Sequence, residues 1–264
     1  MRRRPLLLLS VLGTLAAQAR ADEVLDLPTR LGVTERVLVL APPQPFAAVV
    51  LLPGGAGNIG LGTDGRPQRG GNFLVRSRHQ FVEQGLAVAV VDVPSDRAEL
   101  NGSFRESLEH AQDLGAVVRS MRSRFGKPVW LVGTSRGTQS AAAAALQLRG
   151  SDAPDGLVLT STILGRQAGG PRSPVSARPV TELPLEQLQL PVLVVHHAED
   201  PCGVCQPARL PLLMAKLRPE HSQLMTFSGG ESAGAPCEAF SHHGFNGIEP
   251  RVVADIAGWI RAHP

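Results

Sequence analysis

The sequence predicts an α/β domain: a doubly wound, mostly parallel sheet with helices on both faces and little or no lid domain. Two observations carry this expectation. Short runs rich in Val and Leu recur along the chain, and segments with helical spacing separate them. Strands that are apolar throughout, rather than alternating, belong in a sheet covered on both sides. About 243 residues remain once an N-terminal targeting segment is set aside, enough for one large domain with a full core.

The elements follow in order. "RVLVLAP" and "AAVVLLPGG" read as two strands, expected to be neighbours, and "NFLVRSRHQFVEQG" as a helix stopped at Gly85. "LAVAVVDVP" is a further strand. In "FRESLEHAQDLGAVVRSMRSRFG", Leu108, Ala111, Leu114, Val117, Val118 and Met121 share one helical face. Next come "PVWLVGTS" as strand, "GTQSAAAAALQLRG" as helix and "DGLVLTSTIL" as strand. After them "PVLVV" is a strand, "ARLPLLMAKLRP" a helix with an internal Pro211, "SQLMTFSGG" a strand and "EPRVVADIAGWIRAHP" the closing helix. The longest irregular stretch, 165–190, is rich in Gly, Pro and Arg and too short for a sizeable lid.

The chain opens with Arg2 to Arg4, an apolar run from Leu6 to about Ala17, and Ala19-Arg20-Ala21. This is the pattern of a secretory signal peptide, expected over residues 1–21, with residues 22–264 as a single domain. Those 21 residues hold four arginines and no acid, so the remainder has twenty-two basic against twenty-three acidic side chains, a net charge of −1. The pI of 9.1 is therefore no argument for nucleic acid, and no basic patch with interleaved aromatics supports one. The expected location is secreted or periplasmic, without stable membrane insertion after cleavage. In such an oxidising compartment two of the three cysteines are expected to pair.

"PVWLVGTSRGTQSAAAAA" sets Gly133-Thr134-Ser135-Arg136-Gly137 where a buried strand turns into an alanine-rich helix. A serine on such a turn has a strained backbone and a hydroxyl pointing away from the sheet, with glycines relieving the crowding. The Arg136 amide lies at the helix start, where it can face a developing oxyanion. A bare Gly-x-Ser-x-Gly is often an ordinary turn; the strand-to-helix setting gives this one its weight.

At these residues the chain resembles the α/β-hydrolase family, over nearly all of residues 22–264, and "LVGTSRGT" is similar to its nucleophile elbow. The cation Arg136 departs from the Met, Leu, Gln or Tyr common there. The resemblance implies that the Gly-rich turn in "VVLLPGGAGNIG" supplies a second oxyanion amide, Gly55 first and Ala56 second. It implies a base on the loop after the last strand, commonly in His-Gly-Phe, which His243 matches, with His242 next. It also implies an acid after the penultimate strand, where Asp200 stands, with Glu199 as runner-up. Asp92 and Asp96 precede the serine and read as loop-structuring acids. The implied activity is that of a serine hydrolase, most simply a carboxylesterase acting on a small-molecule or polymeric acyl substrate, with no cofactor and no metal. The alternatives are a non-catalytic binding protein on the same fold and, from Cys202-Gly-Val-Cys205 between strand and helix, a thiol-disulfide oxidoreductase. Only one strand and one helix follow that motif, too little for a thioredoxin-type domain. If the acid and base loops meet as a triad requires, Cys202 and Cys237 come together. Their bridge is worth about 3.8 kcal/mol by chain entropy, against about 1.9 for Cys202 to Cys205. Cys202–Cys237 is the expected pair, with Cys205–Cys237 as the alternative.

Overall fold

The computed structural model describes residues 22–166 and 178–264. The expected targeting segment, 1–21, and the middle of the irregular stretch, 167–177, lie outside the described residues. Eight strands form one sheet: β1 (Glu23–Arg30), β2 (Val33–Leu40), β3 (Ala47–Leu52), β4 (Leu86–Pro94), β5 (Val129–Thr134), β6 (Gly156–Thr160), β7 (Val192–His197) and β8 (Ser222–Phe227). Their spatial order is β1-β2-β4-β3-β5-β6-β7-β8. β1 and β2 pair antiparallel, as do β2 and β4; the remaining pairs are parallel.

Both faces of the sheet are apolar because its strands are. In β3, Ala48, Val50 and Leu52 face one core and Ala47, Val49 and Leu51 the other. The first core is covered by α4 (Leu108–Phe125), α5 (Gly137–Gln147) and α6 (Leu210–Met214). The second is covered by α1 (Phe73–Arg76), α2 (Arg78–Glu83) and α7 (Glu249–Ala262), through Phe73, Phe81, Val252 and Ile256. A short α3 (Gly102–Arg105) lies between β4 and α4. The long α4 shows how sequence sets an element's limits. Ser107 caps its start by accepting the His110 amide, and Gly126 ends it in the left-handed conformation at φ 62°.

The structure corrects the sequence reading at four places. "RVLVLAP" and "AAVVLLPGG" are not neighbours, since β4 inserts between β2 and β3. The helix expected over 72–85 is two short helices broken at Ser77, whose hydroxyl donates to the Phe73 carbonyl and so competes with the helical ladder. Leu108 points to solvent, 57% exposed, because it is the first residue of its helix and the packed face begins at Ala111. The strand Glu23–Arg30 went unassigned; it is an edge strand whose side chains are only half-buried or exposed, so no apolar run marks it. Among the described residues no helix is long and apolar enough to cross a membrane.

Candidate active site

Strands β3, β5, β6, β7 and β8 run parallel, so the loops leaving their C-terminal ends gather along one edge of the sheet, where sites in open α/β sheets form. Ser135 follows β5 directly and has φ 52°, a left-handed conformation that a non-glycine residue adopts only at a cost of about 1–3 kcal/mol. The elbow is crowded. A Cβ at Gly133 would overlap the Gly137 carbonyl, and one at Gly137 the Leu52 carbonyl at the end of β3. The Ser135 amide donates to Thr160, and its carbonyl accepts from the Thr138 amide and hydroxyl. The strained turn is thus anchored to β6 on one side and to α5 on the other.

Asp200 lies in the turn after β7 and His243 in the loop after β8; both are buried. His243 Nδ1 lies 2.9 Å from Asp200 Oδ2. The other Asp200 oxygen accepts the Cys202 amide at 2.8 Å, and His196 Nε2 stands 3.4 Å from Oδ2. Burial works to raise the Asp200 pKa, but hydrogen bonds from His196, His243 and the Cys202 amide outweigh it and hold the carboxyl at about 2. The imidazole is fixed from its backbone as well. Ser161 donates to the His243 carbonyl at 2.6 Å, and the Ser241 hydroxyl accepts the His243 amide.

Ser135, His243, Gly55 and Ala56 line one cleft of about 380 Å³, with Phe73, Phe240 and Arg69 also on its walls. Among the described residues His243 Nε2 has no hydrogen-bond partner, so the chain of contacts is closed from carboxylate to imidazole and open from imidazole to hydroxyl. Such bonds are often long without substrate and tighten when one binds. The amides of Gly55, Ala56 and Arg136 donate to no other described group. The Arg136 side chain is half-buried and makes no ion pair among the described residues.

The other nominated residues are placed as follows. Glu199 is exposed, and its amide donates to His197 Nδ1. His242 stacks on His197 with ring centroids 4.2 Å apart. Asp92 accepts the amides of Ile59 and Leu61, and Asp96 pairs with Arg30, so both hold loops. Cys202 is joined to Cys237, tying the Asp200 turn to the loop that carries His243, and Cys205 is a buried free thiol. Burial and the Asp200 charge push the Cys205 thiol well up, with the Ser135 hydroxyl opposing them, so it stays a neutral filler beneath the site. Sequence reasoning missed His196, which lies against Asp200, and Ser161, which holds the His243 loop. His196 did carry a signal, four residues before Asp200 at the end of an apolar strand.

Among the described residues, three groups bring possible metal donors within 4.8 Å of one another: Cys202, Cys205 and His243; His197, Glu199 and His242; and Glu35, His110 and Asp113. In each, donors are already committed. Cys202 is in the disulfide, both His197 nitrogens are hydrogen-bonded, and Asp113 is held by Arg30.

No family model and no curated protein matches the sequence. Solved structures match over nearly the whole chain. The esterase domain of a Rhodothermus marinus protein is 13% identical with a TM-score of 0.61, covering 92% of this chain and 99% of its own. XC6422 from Xanthomonas campestris, described as an α/β serine hydrolase without lid, is 18% identical with a TM-score of 0.54, covering 95% and 96%. A dienelactone hydrolase-like promiscuous phosphotriesterase, P91 from metagenomic libraries, is 15% identical with a TM-score of 0.57, covering 93% and 99%. The chain therefore has the α/β-hydrolase fold.

Proposed function

We propose that this protein is a serine hydrolase of the carboxylesterase type, exported after loss of residues 1–21 and working as a single domain over 22–264. Ser135 is the nucleophile, His243 the base and Asp200 its orienting acid. The observation that carries the reading is the buried Asp200–His243 hydrogen bond in the same cleft as a serine held at positive φ. The esterase and serine hydrolase descriptions of the structural neighbours support it.

The geometry supports the following steps. Ser135 Oγ attacks the acyl carbonyl and its proton passes to His243 Nε2, the ring nitrogen left without a partner. Asp200, ionised at any ordinary pH, keeps the proton of the other nitrogen on Nδ1 and stabilises the imidazolium. The negative charge on the former carbonyl oxygen is received by the amides of Arg136 and Gly55, with Ala56 as the alternative to Gly55. Collapse expels the alcohol, protonated by His243, and water then resolves the acyl-enzyme by the same path reversed. An open cleft of about 380 Å³ suits short acyl groups, free or on a polymer surface.

The test is covalent labelling and turnover together. A fluorophosphonate probe should label Ser135 in the folded protein, and Ser135→Ala should lose labelling and about 10⁶ in kcat on the best member of an acyl-ester panel of graded chain length. Ester turnover that survives Ser135→Ala defeats the assignment. A folded wild-type protein that neither labels nor hydrolyses any ester favours a binding role instead.

A further inference from the structure

The proposed chemistry does not use Arg105, yet this is the largest polar side chain in the interior, 1% exposed. A buried cation is expensive to hold and is normally paired with a carboxylate. Arg105 has none. Its Nη2 donates to the Gly55 carbonyl at 3.1 Å and its Nη1 to the Ser140 hydroxyl at 2.9 Å, while Nε has no partner. Ser140, on α5, also lies 3.0 Å from His110 Nε2, and burial first, then the positive charges of Arg105 and Arg30, keep that imidazole neutral. Among the described residues no acid enters this network to neutralise the guanidinium.

The turn that Arg105 grips carries the two candidate oxyanion amides. Two of its peptide planes carry those amides. The Gly54–Gly55 plane is held by the Gly57 amide, which donates to the Gly54 carbonyl at 3.1 Å. The Gly55–Ala56 plane is held by Arg105 on the Gly55 carbonyl. In a trans peptide the N–H points opposite to the C=O. Fastening each carbonyl therefore also fixes the amide across its own plane, Gly55 in the first and Ala56 in the second, and both residues line the cleft that holds Ser135. A cation on the Gly55 carbonyl also polarises its peptide, which strengthens the Ala56 N–H as a donor.

We propose that Arg105 is a positioning residue for acyl transfer, fixing the Gly54–Gly57 turn from behind so that its free amides are already aimed when negative charge develops on the substrate oxygen. The proposal rests on the serine-hydrolase reading of the cleft. It assigns Arg105 no contact with substrate.

The test compares Arg105→Met and Arg105→Lys with the wild type, with Ser135→Ala run alongside. Activity is expressed per site titrated by fluorophosphonate, so that an unfolded fraction does not count. Arg105→Met should lower kcat on the order of 10²-fold, the usual cost of losing one oxyanion donor, with KM changed less than about twofold. Inhibition by phenylboronic acid, which forms a tetrahedral oxyanion on the serine, should weaken in step with kcat. Arg105→Lys should recover part of both. A role confined to packing would instead lower the melting temperature and leave kcat per titrated site and boronate affinity unchanged; that result overturns the proposal. A crystal structure of the wild-type boronate adduct decides independently of whether the variants fold. It should show a boronate oxygen on the Gly55 or Ala56 amide with Arg105 still on the Gly55 carbonyl, and an oxygen held by neither amide overturns the proposal. Turnover surviving in Ser135→Ala would sink the hydrolase reading itself. A dead Ser135→Ala beside a fully active Arg105→Met would sink the Arg105 proposal alone.

Discussion

At the scale of the residue, the proposed chemistry hangs on how Asp200 is held. Its carboxyl sits at about 2 rather than in the usual range near 4, because His196, His243 and the Cys202 amide surround it and outweigh burial. A depressed carboxyl contributes stability that is complete above the unfolded pKa and lost as pH falls through the folded value. Asp200 should therefore contribute about 2 kcal/mol at neutral pH. Urea unfolding of wild type and Asp200→Asn should differ by a constant amount between pH 7 and 5, with the gap closing as pH falls from about 4 toward 2. In the same variant kcat should drop by about 10⁴, since an amide favours the wrong imidazole tautomer; a drop below tenfold would remove Asp200 from the mechanism. The sequence could nominate Ser135 from its strand-to-helix setting, and Asp200 and His243 through the family resemblance that this setting carries. It could not nominate Arg105, Ser140 or Ser161, whose meaning lies in contacts between segments far apart in the chain.

At the scale of the element, the elbow is a packing solution in which glycine is required on both sides of the serine. Gly133→Ala and Gly137→Ala each push a methyl into backbone that cannot swing aside. Each should cost at least about 3 kcal/mol in urea unfolding, the upper end of overpacking penalties. Gly258 makes the opposite case. It is exposed in the middle of α7, with nothing within 4 Å of an added Cβ. Gly258→Ala should raise stability by about 0.5–1 kcal/mol on helix propensity alone, and a loss would show a backbone constraint there. The strands and long helices were legible because two apolar faces and capping residues are local signals. The order of β3 and β4 was not, since consecutive apolar runs give no sign that a later strand will slip between them. Nor does a half-exposed edge such as β1 advertise itself.

At the scale of the whole molecule, the Cys202–Cys237 bridge joins the two loops that bring Asp200 and His243 together. Reduction should lower stability by about 2–4 kcal/mol and depress turnover, whereas Cys205→Ala should leave a non-reducing peptide map showing Cys202–Cys237 unchanged. A map showing Cys202–Cys205 in the active protein would overturn the loop-joining role. The strand order has a further consequence, for how the protein comes into being. The elbow and its neighbours are complete once β6 has been made, but the imidazole arrives about 108 residues after Ser135, behind every strand of the sheet. On the serine-hydrolase reading, a chain still emerging from the ribosome can thus shape its central layer while remaining chemically silent. On that reading, reactivity waits until the last loop docks.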